Sequence, residues 1–158
     1  MDKYPTTQAI RMLRAAGTEF SAHLYTYVEH GGTRESSEQL GVDEHNVVKT
    51  IVLEDEKKKP MIVLMHGDRE ISTKKLARFL GAKEIHPCDP KVVTKHTNYM
   101  VGGTSPFGTK EQLPVYIEKT ILDLEKVYIN GGKRGFLVGL SPVDIVKLLS
   151  PIAVEVAI

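Results

Sequence analysis

Apolar residues along this chain fall into two spacings, one near 3.6 and one of two, and the spacings take turns. In "TTQAIRMLRAAG" (6–17) Ile10 and Leu13 recur at helical spacing behind a Thr6 or Thr7 cap, and Gly17 marks the end. "FSAHLYTYV" (20–28) switches to alternation and is rich in aromatics, as a strand is. A short capped helix over "TRESSEQLG" (33–41) precedes two strands, "NVVKTIVLE" (46–54) and "PMIVLMHG" (60–67), joined hairpin-fashion by the charged tip "DEKKK". "STKKLARFLG" (72–81) predicts a helix with Leu76, Phe79 and Leu80 inward, and "DPKVVTKHT" (89–97) another that starts on Asp89 and Pro90. Further strands are predicted near 114–118, 126–130, 135–140 and 152–157, with a helix from Ser141 to Leu149 before the last. Hairpins mixed with helices argue against a purely parallel doubly wound sheet. The expectation is an α/β (α+β) fold, a mixed, curved, barrel-like sheet of about six to seven strands with flanking helices, forming a single domain over 1–158.

Composition narrows the setting. At 158 residues, 41% hydrophobic and 26% charged, the chain can bury a core without staples. Its single cysteine, Cys88, excludes an internal disulfide and suits a reducing compartment. The N-terminal stretch has no apolar leader, and no run approaches the roughly 18 apolar residues of a membrane span, so a cytoplasmic protein is expected. A formal charge of +1 gives little overall attraction for nucleic acid, so any such contact needs a local patch. The six histidines show no metal-ligand spacing, and neither metal nor cofactor is expected. Cys88 has His86 nearby but reads as a passive small residue.

Three stretches carry candidate chemistry. In "VVKTIVL" the period of two places Lys49 with Val47, Ile51 and Leu53, inside a strand apolar on both faces. A lysine there is either a gatekeeper on an edge strand, with its head reaching water, or a cation facing a pocket for an anion or a carbonyl. "YMVGGTSPFGTK" (99–110) offers bare backbone around Gly102, Gly103 and Gly108; it is a surface loop or a place where N–H groups approach something bound. "INGGKRGFLVGL" (129–140) reads as a tight turn at Asn130-Gly131 with Lys133 and Arg134 at its edge, cations that suit phosphate. Lys74 and Lys75, at the start of their helix, can extend such a patch, although charged helix faces are ordinarily just solvated.

Taken with "GDREISTKKLARFLGAKE" and "LPVYIE", these stretches closely resemble the YbaK/EbsC family over about residues 6 to 150. Its members are free-standing aminoacyl-tRNA deacylases related to the editing domain of bacterial prolyl-tRNA synthetases. The resemblance implies a trans-editing enzyme that hydrolyses mischarged tRNA, with Cys-tRNA(Pro) and Cys-tRNA(Cys) as the substrates of the subgroup most similar to this chain. It implies aminoacyl-tRNA, through its 3′ end, and prolyl-tRNA synthetase as partners, and attack by the substrate's own thiol or by a positioned water. A non-catalytic module that binds the same tRNA end, or docks on a synthetase, is the competing class.

Carried over by motif, Gly102 becomes the backbone donor to the developing oxyanion, with Gly103 beside it. Lys49 matches the family's required lysine. Tyr25, Thr50, Tyr99, Ser105, Asn130 and Gly131 become substrate-binding positions, and Lys74, Lys75, Lys133 and Arg134 tRNA contacts. Three residues depart from the pattern: Gly32 where an aromatic is expected, Asn130 where serine is common, and Leu137 where some cysteine-acting members are acidic. They bear on which amino acid is removed, so alanine or serine stand as alternatives to cysteine.

Overall fold

The structure, a computed structural model, describes residues 3–158, so the first two residues of the expected domain lie outside it. Helix α1 (Gln8–Ala15) is capped by the Thr7 side chain, which accepts from the Ile10 N–H. It is followed by β1 (Ser21–Leu24), α2 (Gly32–Leu40), β2 (Val47–Asp55), β3 (Pro60–His66) and α3 (Thr73–Leu80). Then come β4 (Ile85–Pro87), α4 (Pro90–Thr97), β5 (Val115–Glu118), β6 (Val127–Lys133), β7 (Phe136–Leu140), α5 (Pro142–Leu149) and β8 (Ile152–Val154). Pro90 and Pro142 open their helices at the position where a missing N–H costs nothing.

All eight strands join one mixed sheet in the order β1-β7-β6-β2-β3-β5-β8, with β4 on the far end of β2. The β1–β7, β6–β7, β2–β3 and β2–β4 pairs are antiparallel, and the β2–β6, β3–β5 and β5–β8 pairs parallel. The sheet is not closed: β1 and β8 end the order. One face carries Ile10 and Leu13 of α1, Phe107, Phe136 and Ile145 of α5; the other carries Leu53, Met61, Met65, and Leu76 of α3. Phe107 and Phe136 are at most 1% exposed, and each such burial stabilises by about 2–3 kcal/mol.

Several boundaries differ from the sequence reading, each for a local reason. The aromatic strand stops at Leu24, and residues 25–28 leave the sheet as a strap. There the Gln39 side chain stands in for a neighbouring strand, accepting from the Thr26 N–H and donating to the Thr26 carbonyl, both at 2.8 Å. Phe79 is 56% exposed, because Leu76 and Ala77 take the sheet-facing stripe of α3. β8 ends at Val154; beyond it, residues 156–158 pair with the loop at 70–72. β4 is too short to show a period. The tight turn lies at Arg134 and Gly135, not at Asn130-Gly131, since Lys133 pairs with Phe136. Asn130 to Gly132 instead form a bulge, in which Asn130 Oδ1 accepts from the N–H groups of Gly132 (2.7 Å) and Lys133 (3.1 Å).

Candidate active site

The bulge has a consequence for β2. On the side away from β3, β6 pairs only with Val47 and Val48, and β4 only with Leu53 to Asp55. Lys49, Thr50 and Ile51 therefore have no ladder partner on that side. A cavity of about 350 Å3 opens there, walled by this stretch, the strap (Tyr25, Tyr27), the start of α2 and the glycine loop.

Of the residues singled out in the sequence, Lys49, Thr50, Tyr25, Gly102 and Asn130 line this cavity, and so do the departures Gly32 and Leu137. Four others lie behind it. Tyr99 is buried and donates its hydroxyl to the Phe107 carbonyl at 2.6 Å; burial pushes its phenol up to about 12. Ser105 Oγ accepts from the Phe107 N–H at 3.2 Å. The Gly103 N–H is spent on the Met100 carbonyl, and a side chain there would meet the Arg134 nitrogen at 2.6 Å. Gly131 packs its Cα on the Phe136 ring, and its carbonyl accepts from the Thr7 hydroxyl. These four hold the loop and the bulge that present Gly102 and Asn130. Lys74 and Lys75 begin α3 on the far sheet face, away from Lys133 and Arg134 in the β6–β7 turn, so no contact gathers the four into one patch.

Lys49 is the single Lys or Arg among the lining residues. β2 is interior in the strand order, but Lys49 stands where its cavity side is unpaired, a local gap in the sheet and not a terminal strand. Its side chain is 18% exposed, and Nζ donates to the Arg69 carbonyl at 2.5 Å and lies 3.5 Å from a Glu70 carboxylate oxygen. The loop that receives it is braced in turn: the Glu70 and Ser72 N–H groups donate to the carbonyls of Ile158 and Val156. Thr50 Oγ1 is buried with no hydrogen-bond partner, the one such side-chain atom among the described residues. Gly102 takes φ +90°, its carbonyl accepts from Asn130 Nδ2 at 3.3 Å, and its N–H has no acceptor among the described residues. Burial raises the Tyr25 phenol pKa and keeps it protonated. Sequence reasoning missed Tyr27 and Gln39: a second tyrosine on an alternating stretch and an amide on a helix surface carry no signal of their own.

Cys88 lies outside the cavity. Burial, and then the Glu54 carboxylate, push its thiol up to about 12, which leaves it un-ionised and passive.

The fold also gathers His45, His66 and Asp68, whose ligand atoms lie within 4.8 Å of one another. The two imidazoles stack at 3.7 Å and 8°, and an ion about 2 Å from a ring nitrogen must lie in that ring's plane, so no single ion serves both. The ring nitrogens are also engaged: His66 Nδ1 with the His45 carbonyl, His66 Nε2 with Thr120, and His45 Nδ1 with Asp68. Burial opposes Asp68 ionisation, but the His45 hydrogen bond and charge prevail and hold its pKa below the usual value. His66 is 1% exposed, and burial lowers its pKa below 6.5 against the opposing hydrogen bond to the His45 carbonyl. Between that lowered value and 6.5 the unfolded chain binds a proton that the folded chain refuses, so stability falls as pH drops through this interval. Thermal melts at pH 7.5, 6.5 and 5.5 should show a progressive loss that is smaller in His66→Gln. An equal loss in the two proteins would assign the effect to other groups, His23 among them, which burial and Lys126 also lower.

Residues 30–148 match the aminoacyl-tRNA editing domain family, and the chain belongs to that family. It is 30% identical over 143 residues to EbsC of Enterococcus faecalis, named as a candidate Cys-tRNA(Pro)/Cys-tRNA(Cys) deacylase, covering 90% of this chain and 87% of that one. Over 88 residues it is 30% identical to a proline–tRNA ligase of Brachyspira hyodysenteriae, of which it spans 15%. A solved structure described as a candidate trans-editing enzyme for prolyl tRNA synthetase shares the fold, with TM-score 0.82 at 21% identity over 97% of this chain and 98% of that one. No helix among the described residues is long and apolar enough to cross a membrane.

Proposed function

We propose that this chain hydrolyses the ester that joins an amino acid to the 3′ end of tRNA, with cysteine the foremost candidate, in the cytoplasm and alongside prolyl-tRNA synthetase. The observation that carries this reading is the buried Thr50 hydroxyl, which has no partner among the described residues, in a cavity that Gly102 and Lys49 also line. A hydroxyl buried unpaired costs about 1–3 kcal/mol, a cost that a ligand's hydrogen bond relieves. The chemistry suits these groups. Water, or a cysteine substrate's own thiol, attacks the carbonyl carbon, and the carbonyl electrons move to oxygen beside the Gly102 N–H. The carbonyl then re-forms, the bond to the ribose oxygen breaks, and that oxygen takes up the proton lost by the attacking group and leaves as the tRNA hydroxyl. The acyl product is the free amino acid when water attacks, and a cyclic thioester of cysteine, which water then opens, when the thiol does. Lys49 neutralises negative charge on the developing oxyanion or the terminal phosphate. Lys74, Lys75 and Lys133 are proposed to meet the tRNA backbone.

Family kinship, and the name of the Enterococcus relative, support cysteine; Leu137 and the bare Gly32 leave room for alanine or serine. The test is ester loss from tRNAs charged with labelled cysteine, alanine, serine or proline. The expected result is acceleration well above spontaneous hydrolysis for cysteine first. No acceleration with any of the four would make the cavity a binding site instead.

A further inference from the structure

Arg134 is exposed in the two-residue turn between β6 and β7, where a cation is ordinarily solvated and free for phosphate. Its side chain is spent differently. Nε donates to the Val101 carbonyl at 3.0 Å, and the guanidinium carbon lies 5.0 Å from the centre of the Tyr27 ring. A Cβ on Gly102 would come within 3.3 Å of Arg134 Nε and 2.9 Å of the Tyr27 hydroxyl. One side chain thus joins two separate walls of the cavity, the strap through Tyr27 and the glycine loop through Val101 and Gly102.

We propose that Arg134 is a positioning residue: it clamps the strap to the glycine loop and so fixes the direction of the Gly102 N–H. The catalytic half of this inference rests on the proposed hydrolysis; the clamp itself does not. A guanidinium suits the task because its face can lie on a ring while its edge donates in plane, which an ammonium cannot do at once. Asn130 completes the grip from the other side by holding the Gly102 carbonyl. Lys133, exposed and without a side-chain partner among the described residues, keeps the role of a phosphate contact.

Two measurements test this. The first is single-turnover deacylation, with tRNA affinity followed across salt, for Arg134→Ala, Arg134→Lys, Tyr27→Leu, Lys133→Ala and the Arg134→Ala/Tyr27→Leu pair. Loss of the clamp should slow the chemical step roughly tenfold, since small misplacements of reacting groups are costly. Arg134→Lys should not restore the rate, and the double variant should be no slower than either single one. The salt slope of tRNA affinity should fall by about one for Lys133→Ala and stay unchanged for Arg134→Ala. An Arg134→Ala protein with normal chemistry and a reduced slope would make Arg134 a tRNA contact and overturn the clamp; full rescue by lysine would do the same. The second measurement needs no substrate: amide hydrogen exchange over 99–104 and 25–28 should quicken in Arg134→Ala. Unchanged exchange would overturn the clamp even if the wild-type protein hydrolyses none of the charged tRNAs tried.

Discussion

Lys49→Ala is expected to slow single-turnover deacylation roughly a hundredfold while the protein still folds. The lysine is the one ammonium among the cavity-lining residues, held at a fixed place by the Arg69 carbonyl and the Glu70 carboxylate. Removing such a charge from a site shielded from water costs on the order of 3 kcal/mol in the transition state. The fold loses less. The loop at 69–72 keeps its backbone bonds to Val156 and Ile158, and alanine relieves a largely buried charge as it removes a hydrogen bond. A melting temperature lower by about 3 °C for each kcal/mol lost is the scale to expect. Lys49→Arg should restore little, because a planar fork does not occupy the place of a compact ammonium. Rates at saturating enzyme, read beside melts, decide the matter. Wild-type hydrolysis from a normally melting Lys49→Ala protein would reduce this lysine to an anchor for the 69–70 loop.

Gly102→Ala should damage the reaction about as severely, by a different route. At φ +90° an L side chain is strained by about 1–3 kcal/mol, and its Cβ would press on the Tyr27 hydroxyl and on Arg134 Nε. Those atoms belong to side chains and not to backbone, so the protein should fold with the strap pushed away and the Gly102 N–H turned. Loss of one oxyanion donor typically costs 100- to 1000-fold in kcat, and a drop of roughly a hundredfold is expected with modest change in tRNA affinity. Gly103→Ala serves as the contrast. Its Cβ would meet the Arg134 backbone nitrogen at 2.6 Å, which cannot swing aside, so the melting temperature should fall before the rate constant does. A Gly102→Ala enzyme of normal rate would remove this N–H from the mechanism.

Much of this was legible in the chain because it depends on local period and punctuation. The alternation through "VVKTIVL" places Lys49 inside a buried strand, and Asp89-Pro90 and Ser141-Pro142 mark where two helices begin. What the sequence hid were facts of pairing. Nothing near Lys49 announces that β6 leaves β2 after Val48, or that Arg69 receives the ammonium from the loop that follows β3. Asn130-Gly131 has the chemistry of a hairpin turn; the turn lies instead at Arg134-Gly135 because the Asn130 side chain captures the next N–H groups in a bulge. Tyr99, Ser105 and Gly131 carry motif spacing but stand behind the cavity, where they shape the segments that line it.

The bulge also says what the sheet would do without it. Asn130 faces Leu137 and Lys133 faces Phe136, so Gly131 and Gly132 are surplus to a regular ladder. Deleting both would leave the Arg134-Gly135 turn intact and let β6 run on beside Lys49 and Thr50. Ladder bonds worth about 0.5–1.5 kcal/mol each would then zip the gap shut. Such a chain would be a sturdier sheet with nowhere to put a substrate, and Arg134 would be drawn back by up to about 7 Å, two residues of strand rise. The site is an unzipped seam kept open by slack in a neighbouring strand. What is constrained at 131 and 132 is therefore the length of the chain as well as the absence of side chains, and a two-codon deletion there would cost the protein its cavity while sparing its architecture.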